Sequence, residues 1–261
     1  MIIKKVHCIL WHIWLMSDFF ITAAIIRITN RNKIKRRQRY LRNNARISKK
    51  FLKAFNIKLN VKHIENLKQL HKLPYLAVSN HTTYLDIIIL ASLENYIFIT
   101  SVEMRGIPFL GKITRNGGCL YTNRKKYVSL PEEINRFTAA LLQGFKVMLF
   151  PEGTSTNGIT VQPFHKSLFQ IAIKAKCPVL PICIKYLTLD GKKIQNENRD
   201  RIAWYGKMNF LLHYLKLVGH KLEAEVEILE ATPYQEGKTR QDISDDAYQK
   251  ILKCYQQEKF S

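Results

Sequence analysis

From about residue 73 onward, short apolar runs alternate with stretches that carry apolar residues every third or fourth position, and this alternation restricts the fold most. The runs predict strands and the intervening stretches predict amphipathic helices. Five runs predict buried strands, at residues 74–79, 97–100, 118–122, 146–150 and 179–184. Such alternation is typical of an α/β domain with a largely parallel sheet flanked by helices. A sixth run, at 224–229, alternates like an edge strand and precedes a predicted final helix.

The amino-terminal segment has a different pattern. Cys8–Ile28 is a mostly apolar run of 21 residues, about the length that crosses a bilayer as a helix. Asp18 lies near its middle, where an acidic side chain is costly inside a membrane. Ser17 and Asp18 would instead cap a second short helix, so that two helices lie at the membrane interface. The sequence therefore predicts a membrane anchor, either one helix or a helical hairpin.

Basic residues are concentrated at the same end of the chain. The protein has 42 Lys and Arg against 20 Asp and Glu, a net charge of +22, and residues 1–50 hold 13 of these basic residues and one acid. A basic stretch directly after an apolar one favours attachment to an anionic membrane, with the rest of the chain on the cytoplasmic side. It also argues against a cleaved export signal. We therefore expect a membrane anchor and basic membrane-surface segment at 1–50 and one domain, large enough to be catalytic, at 51–261.

Other classes of partner are not expected. No helix-turn-helix, zinc-finger or RNP pattern is present, so the charge does not predict a nucleic-acid binder. The five cysteines are scattered without a CxxC pair, which is typical of a reducing compartment. Cysteine and histidine do not cluster either, so no metal site is expected.

A histidine and an aspartate five residues apart, His81 and Asp86, follow the first predicted strand. On one ideal helix they would lie about 140° apart, so they can meet only if His81 lies in the loop and Asp86 in the first helical turn. The carboxylate then fixes the imidazole tautomer, and the other ring nitrogen can accept a proton from a hydroxyl. This spacing also arises by chance, so the pair alone is a weak signal.

Polar residues follow two further predicted strands. Arg124 comes after the strand at 118–122 and suits two-point binding of a phosphate. Glu152, Gly153 and Thr154 come after the strand at 146–150. Because parallel sheets bind ligands outside the carboxyl ends of their strands, these residues predict one site at one edge.

Taken in order, these motifs resemble the glycerolipid acyltransferase superfamily, typified by 1-acyl-glycerol-3-phosphate acyltransferases. Four segments carry the resemblance: Asn80 to Asp86, Gly118 to Arg124, Phe150 to Thr154 and Val179 to Pro181. Ser155 stands where many members have arginine, and Asn123 where many have aspartate. The Gly-Thr-Ser version of the third motif is similar to that of the lyso-ornithine-lipid acyltransferase branch.

The resemblance implies roles for the site residues. His81 would be the general base on the acceptor hydroxyl, and Asp86 would orient it. The hydroxyl oxygen would attack the acyl thioester directly, which agrees with the lack of a GxSxG nucleophile motif. Arg124 would bind an acceptor phosphate. Three further residues would shape the acceptor pocket: Glu152, Gly153 and Thr154.

The implied activity is membrane-associated O-acyl transfer to a lysolipid. The donor would be acyl-CoA or acyl-carrier protein, used as a co-substrate, and no bound cofactor is expected. The first acceptor is 1-acyl-sn-glycerol-3-phosphate, giving phosphatidic acid in phospholipid biosynthesis. A lyso-ornithine lipid or another lysolipid is the alternative acceptor, and a catalytically inactive lipid-binding module is the alternative function. The expected location is a bacterial inner membrane with the catalytic domain on its cytoplasmic face, and the oligomeric state stays open.

Overall fold

The computed structural model describes residues 2–124 and 127–257. Within these ranges ten α-helices are present: α1 Ile2–Thr29, α2 Lys33–Ala54, α3 Ile64–Gln69, α4 Leu85–Leu93, α5 Val102–Gly106, α6 Pro108–Asn116, α7 Leu130–Leu142, α8 Gln170–Ala175, α9 Phe210–Leu217 and α10 Arg240–Gln256. Eight strands accompany them: β1 Ile57–Lys62, β2 Leu76–Ser79, β3 Tyr96–Ser101, β4 Leu120–Thr122, β5 Lys146–Leu149, β6 Val179–Leu189, β7 Lys192–Lys193 and β8 Leu222–Ile228.

The strands form one twisted mixed sheet in the order β1-β8-β6-β2-β5-β3-β4, with β7 paired to β6. Neighbours from β6 to β4 run parallel, β8 runs antiparallel to β6, and β1 runs parallel to β8. β2 is wholly buried, as expected for a parallel strand covered on both faces. The predicted α/β fold with a largely parallel sheet is confirmed.

The run at 224–229 is not an edge strand. It forms β8, which lies between β6 and β1, and β1 occupies the edge instead. The alternation of β8 arises because Glu223, Glu225 and Glu227 meet polar partners on one face of the sheet. Lys185 of β6 binds Glu225 at 3.2 Å, for example. Charge pairing, and not solvent exposure, produces the pattern.

Two layers of core side chains cover the sheet. One face is covered by fully buried side chains that include Phe137 of α7, Phe169 just before α8, and Ile251 of α10. Ile89 and Leu90 of α4 belong to the cluster on the other face. Each layer removes a continuous apolar surface from water, which is the main favourable contribution to folding.

The first two helices form an antiparallel hairpin against this second layer. α1 is continuous through Ser17 and Asp18, so the predicted cap at that position is wrong. Residues 30–32 separate α1 from α2. The Asn32 side chain caps α2 by accepting hydrogen bonds from two backbone N–H groups. Asp18 binds Arg46 of α2 through both carboxylate oxygens, each at 2.7 Å. The acid in the apolar run therefore joins the two helices.

α1 has two unlike faces. Four side chains at helical spacing are buried toward α2 and the domain: Leu15, Phe19, Ala23 and Ile26. The opposite face exposes large apolar side chains, again at helical spacing: Val6, Leu10, Ile13, Trp14, Ile21, Ile25 and Ile28. Among the described residues one helical segment, Lys5–Thr29, is long and apolar enough to cross a membrane. Only 28% of its most apolar 18-residue stretch is buried.

Candidate active site

The sheet brings three strand ends to one edge. β2, β5 and β4 run parallel, so the segments after Ser79, Leu149 and Thr122 leave the sheet in the same direction. β5 lies directly beside β2, whereas β3 separates β5 from β4. Neighbouring strands lie about 4.8 Å apart, so the end of β4 is about 14 Å from that of β2.

His81 and Asp86 meet at this edge. His81 lies in the loop after β2, and Asp86 lies in the first turn of α4. His81 Nδ1 is 2.8 Å from Asp86 Oδ2. The histidine side chain is 15% exposed and the aspartate 1%, so the carboxylate is shielded while the imidazole reaches the surface of the site. With Nδ1 held by the carboxylate, Nε2 is the nitrogen placed to exchange a proton.

The Asp86 carboxylate has four hydrogen-bond donors around it. Oδ2 accepts from the backbone N–H groups of Thr82 and Thr83, at 2.7 and 2.9 Å, as well as from His81. Oδ1 accepts from the Tyr186 hydroxyl at 2.6 Å. Burial and the negative charge of Asp86 raise the pKa of Tyr186 well above its usual range, so the hydroxyl remains a donor. These bonds compensate the carboxylate for its lost hydration and fix its orientation.

Glu152 supports the other half of the pair through the backbone. Its two carboxylate oxygens accept from the N–H of His81 at 2.6 Å and from the N–H of Gln162 at 2.8 Å. The side chain is buried, and burial raises its pKa to about 7 despite these two bonds. Glu152 therefore ties the loop after β5 to the loop after β2.

Gly153 and Thr154 occupy different positions in the same loop. Gly153 has φ +81°, and a Cβ there would lie 2.8 Å from Cδ2 of His165, so both the backbone and the neighbouring ring require glycine. Thr154 is exposed at the surface of the edge. Its hydroxyl makes a long bond of 3.4 Å to the Ser155 carbonyl, which leaves it accessible to a ligand.

The loop from residue 151 to 166 also covers the histidine. The Thr156 N–H donates to the carbonyl of His81 at 2.9 Å. Gly158 packs so closely that a Cβ would lie 3.0 Å from Thr82 and 3.2 Å from the Tyr255 hydroxyl. Tyr255 of α10 donates to the Gly158 carbonyl at 2.6 Å, and Arg199 donates to the same oxygen. The last helix thus holds this loop against the His81 segment.

Arg124 lies apart from this cluster. Its side chain is exposed just beyond β4. The strand end itself is fixed by buried Glu133, which accepts from the Thr122 hydroxyl at 2.5 Å and from the Asn123 N–H at 2.9 Å. Arg124 therefore shares the edge with His81 without touching the pair.

The structure places at the site three residues to which the sequence patterns assigned no role. The Phe150 ring stacks on His81, with centroids 4.0 Å apart and planes 17° from parallel. Tyr186 contacts Asp86, and Arg199 contacts the covering loop. Phe150 follows β5 directly, which was an available signal, whereas Tyr186 is 100 positions from Asp86 and only the sheet brings them together. Among the described residues, no three His, Cys, Asp or Glu side chains are grouped as a metal site would require.

An α/β sheet with a half-buried, carboxylate-oriented histidine at its carboxyl edge is an arrangement suited to acid–base chemistry on a ligand. Comparisons with known proteins agree with that chemistry. Residues 58–185 match the family model described as Acyltransferase. Residues 58–185 thus carry an Acyltransferase domain, which confirms the resemblance that the motifs predict.

Individual relatives cover different lengths. The lyso-ornithine lipid O-acyltransferase of Rhizobium meliloti is 28% identical over 188 residues, 69% of this chain and 64% of the relative. The corresponding Pseudomonas aeruginosa protein is 31% identical over 180 residues, 68% of this chain and 66% of that protein. The 1-acyl-sn-glycerol-3-phosphate acyltransferase of Neisseria gonorrhoeae is 35% identical over 119 residues, 45% of this chain and 46% of that one. The matches thus span between about half and two thirds of these relatives.

One solved structure shares the fold along nearly the whole chain. The 1-acyl-sn-glycerophosphate acyltransferase PlsC from Thermotoga maritima superposes with a TM-score of 0.67 at 17% identity, covering 99% of this chain and 98% of that one. At this identity the likeness concerns the fold, and it includes the amino-terminal helices as well as the sheet.

Proposed function

We propose that this protein transfers a fatty acyl chain from a thioester to the hydroxyl of a lysolipid. The observation that carries the proposal is the His81–Asp86 pair, at 2.8 Å with a 1% exposed carboxylate, in a chain that matches the Acyltransferase family model. The inactive alternative is disfavoured because this pair is intact and the Asp86 carboxylate is fully bonded.

The proposed reaction needs one general base and no covalent enzyme intermediate. His81 Nε2 takes the proton of the acceptor hydroxyl while its oxygen attacks the thioester carbonyl carbon. The tetrahedral intermediate collapses, the carbon–sulfur bond breaks, and the thiolate leaves with the proton from His81. Asp86 stabilises the imidazolium that exists between the two proton transfers. The new ester and the free thiol are the products.

The favoured acceptor is 1-acyl-sn-glycerol-3-phosphate. Arg124 is exposed on the same edge, about three strand spacings from His81, and suits a phosphate at the far end of a bound headgroup. Thr154 lies between these positions in the strand order. The second candidate is a lyso-ornithine lipid, because those relatives match over 188 and 180 residues. The Gly-Thr-Ser version of the third motif in this chain also resembles that branch.

The proposed donor is acyl-CoA or acyl-carrier protein. Both deliver the acyl chain as a thioester, so the chemistry requires no bound cofactor. Both are also acidic, and the net charge of +22 favours their approach by electrostatic attraction.

We infer that the hairpin of α1 and α2 lies along a membrane surface. Asp18 binds Arg46 and Lys50, at 2.7 and 3.1 Å, so α2 would have to follow α1 into the hydrocarbon if α1 crossed it. Exposed basic side chains along α2 make that position costly. At the interface, the apolar face of α1 meets acyl chains while α2 meets anionic headgroups, and a cytoplasmic leaflet supplies such headgroups.

The test is acyl transfer by the purified full chain in detergent. A labelled acyl-CoA or acyl-carrier protein is offered with 1-acyl-sn-glycerol-3-phosphate and with lyso-ornithine lipid in parallel. His81→Ala should reduce turnover by about 10²–10⁴-fold, because it removes the base. His71→Ala is the matched control. That histidine is exposed just after α3, and its Nδ1 bonds the nearby carbonyl of Lys68.

The acceptor with the higher kcat/KM identifies the branch. Turnover that survives in His81→Ala would contradict the assigned base. Folded wild-type protein that transfers to no lysolipid with either donor would instead favour the inactive lipid-binding module.

A further inference from the structure

α9 carries two leucines that face solvent and do not contribute to the hydrophobic core. Leu211 and Leu212 are each 60% exposed at the start of this eight-residue helix, whose N-terminus is capped by Asn209. The other face of α9 is anchored by His213 and Leu217, which are buried. The helix is therefore held firmly while its leucine pair faces outward.

α9 lies directly beside the amino-terminal half of α1. Tyr214, about one turn after Leu211, packs against His12 of α1 with ring centroids 5.7 Å apart. It also packs against Phe55, which follows α2, at 5.2 Å. The leucine pair thus adjoins the helix whose opposite face exposes Leu10 and its apolar neighbours.

A second apolar turn adjoins α1 further along. Ile107 and Phe109, where α5 meets α6, are 43% and 46% exposed. The Phe109 ring contacts Phe20 of α1 with centroids 6.1 Å apart. Exposed apolar side chains of the rest of the protein therefore adjoin α1 at two points along its length, near His12 and near Phe20.

Cationic side chains accompany the apolar residues at both points. Lys207 and Lys216 are exposed at the two ends of α9, and Arg105 and Lys112 are exposed around the turn at 107–109. Leucine or phenylalanine bordered by lysine and arginine suits the boundary between acyl chains and anionic headgroups. A second protein copy would need acidic groups around its own apolar patch to match this arrangement.

We propose that α9 and the turn at 107–109 insert into the same anionic lipid leaflet as α1, so that the membrane-binding surface includes the catalytic domain. This proposal rests on the inferred surface position of the hairpin. It has a consequence for the site, because Tyr84 of the His81–Asp86 loop packs on α9: its ring centroid is 5.0 Å from that of Phe210, and its hydroxyl is 3.2 Å from His213 Nδ1. Insertion of α9 places that loop next to the lipid from which the acceptor is drawn.

The experiment measures flotation of the full chain with vesicles of phosphatidylglycerol and phosphatidylcholine after detergent removal. Leu211→Asp with Leu212→Asp should lower the partition coefficient by about thirtyfold or more, since two partly inserted leucines are lost and two negative charges are added. The corresponding alanine pair should give a smaller loss in the same direction. Leu142→Asp is the matched control, because Leu142 is 68% exposed at the end of α7, which packs against α8.

A further arm separates this proposal from the hairpin inference. Ile21→Asp with Ile25→Asp changes two exposed side chains on α1 itself. Release of that variant together with wild-type flotation of the α9 variant would overturn the proposal and leave hairpin attachment intact. Wild-type flotation of both variants would overturn both. An α9 variant that floats normally but changes oligomeric mass would show that a second copy covers the leucines. Thermal melting of each variant verifies that it is folded.

Discussion

Removing one hydroxyl, by Tyr186→Phe, tests whether the orientation of the Asp86 carboxylate limits the rate. Tyr186 donates to Asp86 Oδ1 at 2.6 Å, on the side of the carboxylate away from the atom that binds His81. Phenylalanine keeps the ring and its packing and removes only this donor. The substitution therefore changes how the carboxylate is held without removing either member of the pair.

The structure sets the expected size of the effect. A hydrogen bond to a charged group contributes about 1.5–3 kcal/mol, and a buried acceptor left without its donor costs a similar amount. Asp86 is 1% exposed, so water does not replace the hydroxyl easily. In the proposed mechanism Asp86 stabilises an imidazolium in the transition state. If half of that energy is lost there, kcat falls by about three- to tenfold. KM should change little, because Tyr186 acts on Asp86 and not on the acceptor.

Steady-state acyl transfer and urea unfolding, measured on the same preparations, distinguish positioning from general stability. Tyr75→Phe is the matched control: it removes a buried hydroxyl bonded to Tyr96 at 3.2 Å, just before β2 and so at the opposite edge of the sheet. Both variants should lose unfolding free energy, but only Tyr186→Phe should lose kcat. Equal kcat for the two variants, or a loss confined to KM, would refute this reasoning.

Three further experiments test the supports of the site and of the hairpin. Burial raises the pKa of Glu152 to about 7 from an ordinary 4.5, so the wild-type chain should lose up to about 3 kcal/mol of unfolding free energy as the pH rises from 5 to 8. Glu152→Gln should lack this pH-dependent loss. If urea unfolding gives the same dependence of the unfolding free energy on pH for both proteins, the loss does not come from Glu152. Gly153→Ala should cost about 1–2 kcal/mol of unfolding free energy because of the positive φ, and more because the new methyl group meets His165. Adding His165→Ala should therefore restore part of the lost melting temperature. No restoration would exclude the contact with His165. Asp18→Asn should cost about 1 kcal/mol of unfolding free energy, because it removes a partly exposed ion pair with Arg46. Arg46→Gln should cost less in that background than in the wild-type chain, because the ion pair is already absent there. Equal costs in the two backgrounds would exclude coupling between these side chains.

The sequence predicts most of the parallel part of the sheet, because β2, β5 and the start of β6 are apolar runs with clear ends. It does not predict β1 and misplaces β8 at an edge. β1 alternates between half-buried and exposed residues, and on its exposed face Lys58 and Asn60 meet glutamates of β8. Local periodicity carries no information about a partner so distant in the chain, so tertiary context decides.

The same distinction applies to the site. His81 and Asp86 are close in sequence, so their meeting follows from the loop and the first turn of α4. The place of Glu152 at the same edge follows from parallel strands. The hydrogen bonds of Glu152 to the backbone of His81 and Gln162 cannot be predicted in this way, because they depend on how two loops pack. The contact of Tyr186 depends in addition on the length of β6, which extends beyond its pairing with β2.

The parallel pairing of β1 with β8 also has a consequence for how the chain folds. Lys58 and Glu223 are 165 positions apart, so the two strands cannot pair until nearly all of the protein has left the ribosome. Until then β1 has no neighbour and β6 offers an unpaired edge along its second half, and an open edge of this kind invites pairing with another chain. Closing so long a loop is also slow compared with forming the helices. The pairing of β1 with β8 is therefore expected among the last steps of folding, and the edge of β6 stays open until β8 is in place.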